Sequence, residues 1–142
     1  LDPAYHPAAP YAGIYADVPE SHRRSMWIEA LSEQIGFVER SNCPQVKGEL
    51  RFCPQAPLLR QDLLRYVAAA AGIKPASVEK SHYTDLGDQP QLAALATALW
   101  QAGVLPDDDP NCPDLGRGPR FCPNAPALRI DAAVWMVRAF GR

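Results

Sequence analysis

The residues best suited to chemistry in this chain are cysteines and arginines that recur at a fixed spacing. The segments "RFCPQAPLLRQDL" (51–63) and "RFCPNAPALRIDA" (120–132) match at nine of thirteen positions, with an offset of 69 residues. Each contains one cysteine, two prolines and two arginines, the second of which is Arg60 or Arg129. Cysteines form disulfides, bind metals or act as nucleophiles. Arginine offers a planar group that binds carboxylate or phosphate.

The four cysteines form one C-x9-C pair in each copy, so each copy can close its own loop. We therefore predict the disulfides Cys43–Cys53 and Cys112–Cys122, each worth roughly 2.5–3 kcal/mol in the chain-entropy account. Free thiols and a metal site are the alternatives. Structural zinc usually takes closer pairs, often with histidine, and no histidine lies near these cysteines. We predict no metal and no cofactor. Disulfides indicate an oxidising compartment.

Composition narrows the function classes. A net charge of −2 and a pI near 5.9 give no overall attraction to nucleic acid. No apolar run approaches the ~20 residues that span a bilayer, so we expect no membrane insertion. The chain begins with Leu1 rather than Met, from which we expect a processed mature protein or an excised domain, and favour a secreted one.

The copies organise the rest of the chain. Residues 1–14 contain three prolines and read as a lead-in that contacts the domain through Tyr5 and Tyr11. Repeat 1 spans 15–72, a connection spans 73–82, and repeat 2 spans 83–142. The repeats open with "YADVP" and "YTDLG", and insertions between them are confined to predicted turns, as in a true structural repeat.

Each repeat contains two helical patterns. They are "PESHRRSMWIEALSEQIG" and "LLRQDLLRYVAAAAG" in the first copy, and "PQLAALATALWQAG" and "ALRIDAAVWMVRAFG" in the second. Pro19 is expected in the first turn of its helix. The "RF" before each second cysteine is expected to form a short ribbon. The fold class is therefore all-α, with two helix–loop–helix repeats packed as one domain and little strand.

Apolar positions predict which helix faces are buried. In the first helix they are Met26, Trp27, Ala30, Leu31 and Ile35. The helix after Pro90 is apolar nearly all round and is expected to be the more buried. The last helices match Leu63, Leu64, Val67, Ala68 and Ala71 with Ala132, Ala133, Met136, Val137 and Phe140. Of the three tryptophans, all expected in the core rather than as sugar platforms, Trp135 is expected to be the most exposed.

The ordered set of motifs resembles the S-layer homology family, in a cysteine-containing secreted bacterial variant. Its repeat runs from an aromatic-x-Asp-Val segment through a helix ending in Gly-apolar to a second helix opened by Thr-Arg-Ala-Glu. The matching pieces here are "YADV", "IGFV", "FCPQAPLLRQD" and "YTDL", "AGVL", "FCPNAPALRID". The resemblance covers residues ~15–141. The family packs three repeats where this chain has two, which implies a third face supplied by another chain or region.

The resemblance implies anion-binding roles for Arg60 and Arg129, with Asp62 and Asp131 in the same motif. The motif's Thr positions hold Leu59 and Leu128, so no side-chain oxygen can cap these helices, although both aspartates keep a negative charge in the first turn. Structural ion pairs are the alternative for the arginines. Arg60 would then reach Asp17 or Asp62, and Arg129 would reach Asp85 or Asp131.

No catalytic motif is present in the sequence, and we predict that the chain is not an enzyme. The acidic run "PDDDPN" (106–111) lacks the glycine and glutamate of a calcium loop and is expected to be a solvated turn. We expect a secreted module that binds acidic envelope polysaccharide at the bacterial cell surface. The alternative is a protein–protein interaction module or a subunit of an extracellular assembly or filament.

Overall fold

A computed structural model describes residues 7–77 and 81–141. They form four helices: α1 (Ser25–Ile35), α2 (Arg60–Ala71), α3 (Pro90–Gln101) and α4 (Arg129–Phe140). No strand occurs among these residues, which contain only two isolated bridges, Val46–Glu49 and Leu59–Pro126. The all-α prediction is confirmed, and each predicted helical segment contains one helix.

The chain divides into two compact units, 1–56 (unit 1) and 57–142 (unit 2). Unit 1 contains α1 and the loop closed by Cys43 and Cys53, which we call the first cysteine loop. Unit 2 contains α2, α3, α4 and the second cysteine loop, closed by Cys112 and Cys122. The boundary between units therefore precedes α2, because α2 packs against α3 and α4. The predicted repeats describe equivalence in sequence, and their bounds stay a prediction.

The helix ends follow from local chemistry. Pro90 is the first residue of α3, where its missing N–H costs no hydrogen bond. α2 ends at Gly72, whose left-handed φ of 70° favours glycine. The N-cap residues of α2 and α4 are Leu59 and Leu128, and neither makes a side-chain cap, as the sequence predicts. Other groups must satisfy the first N–H groups of these two helices.

Unit 2 has an extensive apolar core. It joins α2 and α3 to the residues that follow them and to one side of α4. Its largest fully buried members are Leu64, Leu86, Leu99, Val104, Phe121 and Trp135. α3 is more buried than α1, as its all-round apolar sequence predicts.

Unit 1 has a smaller core of Tyr15, Val18 and Ile28, with Ile14 and Phe52 packed against it. The buried carboxylate of Glu29 on α1 accepts hydrogen bonds from the backbone N–H groups of Ala12 (2.7 Å) and Ile14 (2.9 Å). These bonds fix the segment that precedes the core. Of the two lead-in tyrosines, Tyr11 donates to the Val18 carbonyl at 2.8 Å, whereas Tyr5 lies outside the described residues.

Three local predictions were wrong. Helix α1 begins at Ser25 rather than near Pro19, because the preceding residues form turns. In these turns the N–H of His22 donates to the Pro19 carbonyl, and the N–H of Ser25 donates to the His22 carbonyl. The "RF" ribbons do not form, since their backbone groups bond to side chains instead. Met26, Trp27 and Leu31 are 38–40% exposed, and α1 buries Ser25, Ile28, Glu29 and Ala30.

Candidate functional site: the cysteine loops and the helices beside them

The same frame is built in both units. In unit 1 the two carboxylate oxygens of Asp17 accept the backbone N–H groups of Phe52 and Cys53, both at 2.8 Å. In unit 2 Asp85 accepts those of Phe121 and Cys122, again at 2.8 Å. The aspartate of "YADV" and "YTDL" thus orders the second cysteine of its own loop.

The second cysteine of each loop has left-handed backbone geometry. The φ angles of Cys53 and Cys122 are 54° and 56°, a region that L-residues with side chains rarely adopt. The bidentate aspartate offsets this strain by binding the N–H of the cysteine and of the residue before it. The aspartates therefore have structural roles.

Both predicted disulfides are present. Cys43–Cys53 and Cys112–Cys122 have Cα–Cα distances of 5.7 and 6.0 Å, and no cysteine is free. Two disulfides indicate an oxidising, extracytoplasmic environment.

Arg60, at the first turn of α2, is buried with its side chain 3% exposed. Its Nη2 donates to Asp109 Oδ2 at 2.7 Å, its Nε donates to the Phe121 carbonyl at 2.9 Å, and its Nη1 lies 3.1 Å from Asp131 Oδ2. Asn111 ties the two carboxylates together, donating from its backbone to Asp109 (2.9 Å) and from Nδ2 to Asp131 (3.0 Å). The guanidinium is thus held between two carboxylates.

Aromatic rings enclose the same guanidinium. Arg60 Cζ lies 5.3 Å from the Phe121 ring centroid and 5.1 Å from that of Trp135, within cation–π range. Trp135 is 1% exposed, so the prediction that it is the most exposed tryptophan was wrong. It lies one turn after Asp131, on the side of α4 that packs against Arg60 and Phe121.

The main chain at the start of α2 docks on the "CPNAP" turn of unit 2. The N–H of Arg60 donates to the Ala125 carbonyl (2.9 Å), and that of Gln61 donates to the Pro123 carbonyl (3.1 Å). These bonds satisfy N–H groups that a helix start leaves without partners. We call the acceptor surface the arginine socket: the carbonyls of Phe121, Pro123 and Ala125, with the carboxylate of Asp109.

Unit 1 fills the corresponding surface with its own Arg40. The carbonyls of Phe52 and Ala56 are equivalent in sequence to those of Phe121 and Ala125. Arg40 donates to the carbonyls of Phe52 (2.9 Å), Cys53 (2.9 Å) and Ala56 (3.1 Å), and is 8% exposed. Arg40 lies three residues before the first cysteine of its loop, the position that Asp109 holds in unit 2.

Arg129, the counterpart of Arg60 on α4, is exposed. Neither predicted structural partner is bound to it: Asp131 pairs with Arg60, and Asp85 binds the second cysteine loop. Among the described residues, Arg129 has no side-chain hydrogen bond or ion pair. Asp131 also accepts the N–H of Leu128 at 3.0 Å, which forms half of a capping box.

The exposed side of α4 is largely apolar, although several of its residues were predicted to be buried. We call it the outer face of α4, consisting of Arg129, Ile130, Ala133, Met136, Val137 and Phe140. Ile130 is 58% exposed, Met136 46%, Val137 67% and Phe140 51%. The equivalent residues of α2 lie 69 positions earlier, and Leu64, Val67 and Ala68 among them belong to the core of unit 2.

The cavity beside Arg60 is small and acidic. Its volume is about 60 Å³, and its lining includes four aspartates and two arginines: Asp107, Asp108, Asp109, Asp114, Arg60 and Arg120. Sites for small ligands usually measure about 300–1,000 Å³. This favours the structural interpretation of Arg60, although its partners are Asp109 and Asp131 rather than Asp17 or Asp62. Asp62 instead pairs with Arg65 at 3.2 Å. Ligand binding by Arg60, Arg129, Asp62 and Asp131 stays a prediction.

The acidic turn is largely exposed, as expected for a solvated turn, but two of its aspartates also have partners in the chain. Asp107 accepts the Trp100 Nε1–H at 2.6 Å, and Asp109 binds Arg60. Within residues 7–77 and 81–141, no group of three or more histidine, cysteine or acidic side chains is placed to hold a metal ion. Over the same residues, no helix has the length and apolar character to cross a membrane.

Two side chains near this turn titrate abnormally. Burial lowers the pKa of His82 below its ordinary 6.5, an effect that nearby Asp107 partly opposes. Burial raises the pKa of Tyr83 well above its ordinary 10, so the phenol stays neutral. His82 stacks on Trp100 with ring centroids 3.6 Å apart, and Tyr83 packs against Phe121 at 5.6 Å. Packing accounts for both shifts.

No protein-family model matches the chain, and no curated protein matches it.

Proposed function

We propose that this chain is a non-catalytic, extracytoplasmic protein–protein interaction module built from two repeats similar to those of the S-layer homology family. The observation that carries the proposal is the exposed apolar outer face of α4. Large contiguous exposed apolar surfaces mark interaction sites, and surfaces that bind another protein are among them. A role as a subunit at the bacterial cell surface, or in a secreted assembly, accords with the two disulfides.

The internal comparison supports a binding role for this face. On α2 five of the six equivalent residues are buried: Arg60 is 2% exposed, Gln61 4%, Leu64 0%, Val67 3% and Ala68 3%. Ala71, the counterpart of Phe140, is half-buried. The same helix surface thus occurs twice in the chain, covered once and open once. An open copy of a surface that the fold otherwise covers is a surface suited to a partner.

Val137→Asp tests this proposal, because Val137 is 67% exposed and the change adds a charge to the apolar face. Leu115→Asp is the matched control, since Leu115 is 68% exposed and lies off this face. We expect wild type and L115D, but not V137D, to retain one partner protein from the envelope fraction of the source cells at fixed stoichiometry. Equal retention by all three proteins contradicts the proposal. A lower melting temperature of V137D alone would also contradict it, because the face would then be an internal contact.

Binding of acidic envelope polysaccharide is the second candidate, favoured by the exposed guanidinium of Arg129. It makes a different prediction. Cosedimentation with purified envelope polysaccharide would fall in Arg129→Ala and remain in V137D. If the interaction is instead with protein, polysaccharide binding is absent or the same in all variants.

A further inference from the structure

We propose that the outer face of α4 binds a protein unit with an open arginine socket and an acidic residue at the position of Asp109, and that a second copy of this chain is not the partner. This inference rests on the proposed function and names the chemistry of the partner. The template is the contact between α2 and the second cysteine loop, which lies entirely within unit 2.

The start of α4 has the same kinds of group that bind α2 to the arginine socket: backbone N–H groups, a guanidinium and apolar side chains. α2 uses the N–H groups of its first two residues, the guanidinium of its first residue, and apolar side chains further along. On α4 the first two residues are Arg129 and Ile130, and no hydrogen bond from their N–H groups to a carbonyl occurs among the described residues. Met136, Val137 and Phe140 follow on the same exposed side.

The chemistry of Arg60 defines the socket that suits Arg129. Burying a guanidinium is costly unless carboxylates and hydrogen-bond acceptors surround it. Arg60 has two carboxylates, Asp109 and Asp131, and the Phe121 carbonyl. A partner for Arg129 therefore offers carbonyls on a Cys-Pro-x-Ala-Pro turn, an aspartate three residues before the first cysteine, and a second aspartate in its following helix.

Neither socket of a second copy fits these requirements. The socket of unit 2 is occupied by Arg60. The equivalent surface of unit 1 carries Arg40 in place of an aspartate. This arginine already donates to two of the equivalent carbonyls, those of Phe52 and Ala56, and to the neighbouring Cys53 carbonyl. A second guanidinium there would meet the like charge of Arg40 where Asp109 supplies a carboxylate in unit 2. The unit 1 surface is therefore unsuited to Arg129.

An elongated chain tests the inference directly. In this chain a second copy of residues 73–142 is joined directly after Gly141. Gly141 is the equivalent of Gly72, which follows α2, so the second copy follows α4 as residues 73–142 follow α2. The appended copy should dock on α4 as residues 73–142 pack against α2 in the parent chain. We expect amide exchange over residues 129–140 of the original segment to slow by about 100-fold relative to the parent chain. Arg129→Ala should remove most of this protection.

The matched control is the same elongated chain with Asp109→Arg in the appended copy only, which reproduces the charge that Arg40 gives unit 1. We expect α4 in this chain to exchange as fast as in the parent. Unchanged exchange over 129–140 without that substitution would overturn the inference. Failure of the appended copy to fold would overturn it as well, because the identical segment folds on α2.

Sedimentation of the parent chain tests the exclusion of a second copy. We expect a monomer, and self-association that V137D abolishes would overturn that part. The outcomes also separate the two proposals. If V137D loses a natural partner while the elongated chain gains no protection, the interaction function stands and this description of the partner fails.

Discussion

The two cysteine loops share a frame and differ in what fills it. In both, an aspartate binds two backbone N–H groups and holds the second cysteine at positive φ. In unit 1 the carbonyls of Phe52 and Ala56 are bound by Arg40, which precedes the first cysteine, whereas in unit 2 the equivalent carbonyls are bound by the side chain and the backbone N–H of Arg60 on α2. The equivalent positions hold Arg40 in unit 1 and Asp109 in unit 2. The arginine binds the carbonyls of its own unit 1 turn, whereas the aspartate binds an arginine supplied by α2.

The comparison extends to the helices that bear the repeated arginines. Arg60 and Arg129 occupy the same position of the same motif, but one is buried in a structural ion pair and the other is exposed. Their roles therefore depend on what faces them and not on the motif. This distinction can be tested by removing each arginine in turn.

The largest expected effect comes from Arg60→Ala. Removing one partner of a buried ion pair leaves Asp109 and Asp131 uncompensated, and we expect a loss of about 3–5 kcal/mol in the free energy of unfolding. Arg129→Ala is the matched control, expected to change stability by less than about 0.5 kcal/mol because the residue is exposed. Urea denaturation followed by circular dichroism measures both. Equal effects of the two substitutions would contradict the assigned difference.

Much of the fold could be predicted from the sequence, because its signals are local. Periodic apolar residues identify the four helices, Pro90 marks the start of α3, and the equal C-x9-C spacing predicts both disulfides. The burial of α4 could not be predicted in the same way. Its sequence matches that of α2, but α2 packs against α3 and α4 whereas the outer face of α4 is exposed, and this difference arises from tertiary packing.

The next largest effect is expected from Arg40→Ala in unit 1. This change removes donors to the carbonyls of Phe52, Cys53 and Ala56. Water can reach part of the vacated space, so we expect a loss of about 2 kcal/mol, smaller than for Arg60. Hydrogen exchange at the amides of Phe52 and Cys53 should accelerate, since these amides belong to the same turn. Unaltered exchange there would show that Arg40 does not hold the loop.

The candidate site was only partly predictable. The sequence identifies Arg60 as a residue of interest, but assigns it Asp17 or Asp62 as an ion-pair partner. Its actual partners, Asp109 and Asp131, come from the acidic turn and from α4, and only three-dimensional packing brings them to Arg60. One signal was available: Arg40 and Asp109 stand three residues before equivalent cysteines and carry opposite charges.

The smallest expected effect on stability concerns His82. This residue precedes Tyr83, and at the equivalent position in unit 1 Ile14 precedes Tyr15. Because burial lowers the pKa of His82 below 6.5, with Asp107 opposing the shift, the unfolded chain binds the proton more readily than the folded one. Its contribution to stability is thus present above pH 6.5 and is lost as the pH falls through the lowered pKa. His82→Ile should therefore make the melting temperature less sensitive to acidification from about pH 7 to about pH 5. Both proteins contain the same carboxylates, so the effect of carboxylate titration on the melting temperature cancels when the two are compared. A difference that is independent of pH would show that protonation of His82 is not linked to folding.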